Sequence, residues 1–150
     1  MARVSQRLKN LDGAKELLQE SIEIKEELGD DPGLATGFHE LGSVFLMQDL
    51  LEDALDAYER ALEIEEQHVD VQGLAVTHAQ LGLVHRNLTN FPESVESFAL
   101  ARELLYRLQS PLTAVIEREL ETAREHVGFS EFAQVQVQAR AYVENLLSTT

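Results

Sequence analysis

The chain has no cysteine. That excludes a disulfide framework, a thiolate metal site and a cysteine nucleophile. Cations are scarce: Lys+Arg is 12 against Asp+Glu 27, a net charge of −15. Such a field repels phosphates and anionic lipid, so neither nucleic acid nor a membrane is expected as a partner. No apolar run approaches the ~20 residues needed to span a bilayer, and the opening MARVSQRLKN lacks the apolar core of a secretory signal. With cysteine absent as well, a cytoplasmic location is expected. There is no glycine loop to cradle phosphate, no nucleophile elbow and no HExxH. The expectation is therefore a protein that is not an enzyme, with no catalytic residues, no metal and no cofactor. The charge that dominates is negative and gathers on particular stretches, Glu16 to Glu27 and Glu52 to Glu66, where it reads as solvated helix face.

What the chain does have is a repeat. A shift of 40 residues lays Gly33-Leu34-Ala35 on Gly73-Leu74-Ala75, Leu41-Gly42 on Leu81-Gly82, Val44 on Val84, Tyr58 on Phe98, Ala61 on Ala101 and Glu63 on Glu103. The same shift backwards lays Leu11 on Leu51, Ala14 on Ala54 and Glu23-Ile24 on Glu63-Ile64. A period of this size signals a solenoid of supersecondary units. Within a unit, Leu34, Phe38, Leu41 and Phe45 fall on one face of a helix, and Leu51, Ala54, Leu55, Tyr58, Ala61 and Leu62 on one face of a second. Glycine in a helix interior costs about 1 kcal/mol against alanine, so its recurrence at Gly42 and Gly82 points to close helix packing.

The set Leu41-Gly42, Phe45, Ala54, Tyr58 and Ala61, with Phe38 in the place usually held by tryptophan, resembles the tetratricopeptide repeat signature. The next copy keeps Leu81-Gly82, Phe98 and Ala101 but carries His78 and His85 at its aromatic positions and Ser94 at its first alanine. The long period is similar to the long-repeat branch of that family, found in kinesin light chains and bacterial signalling proteins. The resemblance implies an all-α, right-handed α-α superhelix of antiparallel helix pairs, and a binding scaffold as its use.

Taken in order, residues 1–29 read as a partial first repeat: a short helix to Lys9, then a second from about Leu11 to Leu28 that stops at Gly29. The missing upstream turns suit either a short natural start or a piece of a longer array. Residues 30–69 and 70–109 are full repeats, and 110–147 a degenerate capping pair, since terminal repeats are atypical. Asp31 is expected at the N-cap with Pro32 at the first helical position, Ser110-Pro111 repeating the device. Asp49 with Glu52 and Asn90 with Glu93 resemble capping boxes. Ser130 is expected to cap the last helix, whose inner face would carry Phe132, Val135, Ala139, Tyr142, Val143 and Leu146.

His78 and His85 are read as partly buried, hydrogen-bonded residues filling aromatic slots. Seven residues apart, they stand about 10 Å from each other along a helix, too far to share one metal ion easily. In the register of the resembling family, the partner-binding wall is the concave groove of first helices: Thr36, His39, Glu40, Ser43, Leu46 and Met47, then Val76, Ala79, Gln80, Leu83, Arg86 and Asn87, with Arg3 and Arg7 from the first fragment. His39 and Ser43 stand where some members carry the lysine and asparagine that clamp a C-terminal carboxylate, so no such clamp is expected. The function this implies is a non-enzymatic scaffold for a protein or peptide. An alternative is a regulatory or sensor segment of a larger signalling or transcription-regulating protein, binding a small effector or an adjoining domain. A third is self-association, a homodimer in which Val4, Leu8 and Leu11 of the incomplete first repeat are covered by a second chain.

Overall fold

The structure is a computed structural model describing residues 2–149, with side chains described from residue 9 onward. It is all-α, in the order α1 (Ala2–Leu28), α2 (Asp31–Met47), α3 (Leu51–His68), α4 (Val71–Asn87), α5 (Phe91–Arg107), α6 (Thr113–Arg124) and α7 (Phe129–Ser148). The chain forms two compact units, residues 1–64 and residues 65–150.

Each of the first five helices ends on the same turn. Gly29 (φ 67°), Asp49 (60°), Val69 (50°), Thr89 (62°) and Gln109 (52°) stand twenty residues apart in the left-handed region. After each comes the long backbone bond of a Schellman motif: Asp30 N–H to Lys25 O (3.0 Å), Leu50 to Phe45 (2.9 Å), Asp70 to Glu65 (2.9 Å), Asn90 to His85 (2.8 Å) and Ser110 to Leu105 (3.0 Å). Only Gly29 carries the residue type that announces such a turn. The others take it because the orphan carbonyls of the last helical turn must find a donor and the next helix must fold back.

The helix starts differ from the sequence expectation in register. The N-cap of α2 is Asp30, not Asp31: its carboxylate accepts from Gly33 N–H at 3.1 Å. Asp70 caps α4 in the same way through Gly73 N–H, at 3.0 Å. The paired glycines follow from this, because a Cβ on either would run into the capping aspartate. Asp49 is not an N-cap; it is the left-handed residue that ends the preceding turn. Asn90 occupies the N-cap of α5 without a side-chain bond. Pro111 lies in a turn ahead of α6, and Gly128, not Ser130, precedes α7. At the other end of the chain, the break expected near Asn10 is absent: α1 runs unbroken through Gly13. One glycine without a proline does not stop a helix, and Asp12 supports the stretch through Lys15 (3.8 Å) and Gln48 (2.8 Å). Arg3, Val4, Arg7 and Leu8 have side chains outside the described residues.

In residues 1–64 the core joins Ile22 of α1, Leu34, Phe38 and Leu41 of α2, and Ala57 and Ala61 of α3. Gly42 lets α2 lie against Tyr58, where an added Cβ would sit 2.9 Å from the ring. In residues 65–150, α4 packs on α5 through Leu74, Ala75, Val84, Val95 and Phe98, all buried. Gly82 meets Phe98 still more closely: a Cβ there would lie 2.6 Å from the ring. Ser94, fully buried, donates its hydroxyl to Gly82 O at 2.8 Å, which accounts for serine in place of alanine. Both α6 and α7 pack on α5. Ile116, Leu120 and Ala123 of α6 are buried, as are Phe132, Ala139 and Val143 of α7; Val135 and Leu146 are half-buried, and Tyr142 stays at the surface.

Two substitutions test this packing. Gly82→Ala is expected to destabilise by about 1–3 kcal/mol, because the Phe98 ring has no room to retreat; thermal unfolding checks it, and an unchanged melting temperature would refute the close approach. Val69→Gly is expected to stabilise by roughly 0.5–1 kcal/mol, relieving a β-branched residue of left-handed backbone; a lowered midpoint in urea would contradict the turn geometry.

Candidate functional site

The first-helix wall divides between the two units. On α2, Thr36 and Glu40 are exposed, and the Thr36 hydroxyl donates to Pro32 O at 3.0 Å. His39 is half-buried, edge-on to Tyr58 at 5.3 Å between ring centroids, and burial holds its pKa below the usual value against the opposing pull of Glu40. Ser43 shares a 2.9 Å hydrogen bond with the Tyr58 hydroxyl and donates to His39 O at 3.1 Å. Burial raises the Tyr58 pKa, the Ser43 bond partly offsetting it. His39 and Ser43 are thus held by Tyr58, so they orient the wall more than they face outward from it. Leu46 is half-buried, and Met47 is 58% exposed.

On α4, Val76, Ala79, Gln80 and Leu83 are half-buried and Asn87 is exposed. Arg86 is not a free anchor for an anion, because its guanidinium pairs with Glu119 of α6. The register alone places Arg86 on the wall, and the structure gives it this partner. The pair spends the charge and ties α6 to α4 at the same time.

The histidines depart from expectation in a telling way. His78 is 5% exposed, and neither ring nitrogen has a hydrogen-bond partner. Burial lowers its pKa to about 4. It occupies the position of Phe38 and is packed as an aromatic ring, not as a polar group. His85 is half-buried with its Nδ1 likewise unpartnered. Among the described residues no three histidine or carboxylate side chains are placed to hold a metal ion.

Two buried carboxylates were not legible as such. Glu65 accepts from the Thr77 hydroxyl at 3.0 Å, and burial, reinforced by Asp70 and opposed by Thr77, raises its pKa to about 7. Glu103, 5% exposed, stands among Arg107 (3.6 Å), Arg102 (4.0 Å) and Arg140 (4.0 Å) at a cleft of about 600 Å³ between α5, α6 and α7. Its repeat counterpart Glu63 is exposed. The only trace in the sequence is that three of the few arginines converge on one carboxylate, and that needs the fold to be seen.

Residues 1–67 match the family model described as tetratricopeptide repeat. On that match residues 1–67 are a tetratricopeptide repeat segment, and helix pairs at the spacing of its signature residues continue beyond it. No curated protein matches it. Repeats of this family mediate protein–protein interaction and are typically non-catalytic. Among the described residues no helix is long and apolar enough to cross a membrane.

The orphaned imidazole generates a prediction. His78→Phe, which restores the residue of the preceding repeat, is expected to stabilise by about 1–3 kcal/mol by removing buried unsatisfied nitrogens. The gain should depend on pH. The unfolded imidazole takes up a proton below about 6.5, whereas the folded one resists until about 4. Stability of the parent chain is therefore lost as pH falls through that window, and the variant does not share the loss. The gap should widen by up to about 1.4 kcal/mol per pH unit from 6.5 toward 4. A gap that is flat with pH in urea unfolding would show that His78 takes up its proton as readily in the folded chain as in the unfolded one.

Proposed function

We propose that the protein is an interaction module that binds a partner protein through the outward walls of its first helices, taking an extended or helical peptide. One observation carries this most: α2 and α4 bury one face each and leave the same outward position exposed, the large apolar Met47 on the first and Asn87 on the second, with Thr36 and Glu40 also exposed on α2. An exposed methionine is an adaptable apolar contact of the kind promiscuous binding surfaces use. Val76, Gln80 and Leu83 complete the reading on α4. Recognition would rest on apolar contact and amide hydrogen bonds, because Arg86 is engaged by Glu119 and the lysine and asparagine of a carboxylate clamp are absent.

The test is selection of peptides against the whole chain, followed by Met47→Glu and Asn87→Lys. Both side chains are exposed, so the melting temperature should hold. Affinity of the selected peptides is expected to fall by about tenfold or more, the loss typical of a disrupted contact residue of about 1.4 kcal/mol. Peptides that bind the two variants as tightly as the parent would refute this surface.

A further inference from the structure

Two clefts in this protein are copies of one another. In residues 1–64 a cleft of about 490 Å³ lies between α1, α2 and α3, with Phe38 on its floor and Glu26, Asp56 and Arg60 on its walls. In residues 65–150 a cleft of about 430 Å³ has His78 on its floor and Glu66, Glu96 and Leu100 on its walls. Each of these four positions is the other's counterpart at a shift of 40 residues.

What differs is the cover. The second cleft is overlaid by α7, which presents Val135, Gln138, Ala139 and Tyr142, one face of a helix, and whose Tyr142 hydroxyl donates to Glu66. A small residue, Ala139, is buried at the centre of that face. Among the described residues of 1–64 no helix takes the equivalent place. There the Arg60 guanidinium lies over the Phe38 ring, 5.5 Å from its centroid, and pairs with Asp56 at 3.3 Å. Position 60 is leucine in the covered copy, Leu100. Arg60 is more than half exposed (57%), so it can swing off the ring.

The chain thus shows how this cleft is filled, by a helix laid across the aromatic position with an alanine at its centre. It also shows the charge a visiting helix must bring. Glu23, Glu26, Asp53 and Asp56 line the open cleft against, among the described residues, the one cation Arg60. The α7 of a second copy carries Glu131 and Glu144, which would add carboxylates to that rim. We propose that the cleft of α1, α2 and α3 docks an amphipathic helix from a partner protein, seated over Phe38 as α7 is seated over His78, with a small residue at its centre and lysine or arginine on its flanks. This surface is distinct from the first-helix wall and stands or falls separately from it.

The probe is a fluorescent peptide of residues 129–148 with Glu131→Lys and Glu144→Lys to supply basic flanks and Gln138→Leu to face Phe38. Titrated with the full chain, it should bind saturably and one to one, more weakly as salt rises. The chain variant Glu26→Lys/Asp53→Lys, altered at two exposed positions, should lose about tenfold or more in affinity, as expected when a complementary rim is reversed. Circular dichroism verifies that the variant is folded, and Met47→Glu should leave binding within about twofold, a change too small to mark a contact. Absence of saturable binding would overturn the proposal, as would binding indifferent to Glu26→Lys/Asp53→Lys. Equal affinity for the unmodified, acidic peptide would overturn the basic partner in favour of a second copy of this chain. Loss on Met47→Glu alone would place the peptide on α2, refuting this cleft while leaving the first-helix wall intact.

Discussion

The left-handed turn after each of the first five helices sets the terms for everything else. A helix that stops every twenty residues, at positions 29, 49, 69, 89 and 109, returns each residue type to the same face of the next pair. The turn is paid for in backbone strain at Val69 and Thr89, and the Schellman bonds that satisfy the terminal carbonyls offset it. Regular phase in turn puts Gly42 opposite Tyr58 and Gly82 opposite Phe98, so that the helices of a pair meet with a ring against bare backbone. The first helix then has one face committed to the ring and the core, and another left exposed.

Because the phase is regular, departures from the repeat carry information. Phe38 becomes His78, Arg60 becomes Leu100, and α7 arrives over the second cleft. The three changes belong together. A flat ring still fills the floor, an aliphatic side chain replaces a charged one under the incoming helix, and Ala139 allows that helix to sit close. The covered cleft tolerates an imidazole without partners, and the same unit buries a carboxylate at Glu65; the two cost stability in opposite directions of pH. The open cleft of residues 1–64 keeps its aromatic floor and its acidic rim.

The repeat and its helix pairs were legible in the sequence because they rest on periodicity and on glycine and alanine at fixed places. The turns were not, since Asp49, Val69, Thr89 and Gln109 are not residues that declare left-handed backbone. Capping was misplaced by one residue at Asp30 because two aspartates stand together and only the bond to Gly33 distinguishes them. Thr36, Glu40, Met47 and Asn87 are exposed, while the engagement of Arg86 by Glu119 and of Ser43 by Tyr58 depends on tertiary neighbours that no local pattern encodes. The position of α7 was hidden for the same reason: its apolar stripe announces a buried face without saying which helices bury it.

Hydrogen exchange on the full chain, with and without a saturating amount of the basic helical peptide, tests most directly whether residues 1–64 hold an open copy of the cleft that α7 fills. Slowed exchange is expected in residues 19–26 and 53–60, which line the open cleft, with residues 96–107 unchanged beneath α7. Slowing confined to α5 and α7, or to α2 and α4 without α1, would contradict it.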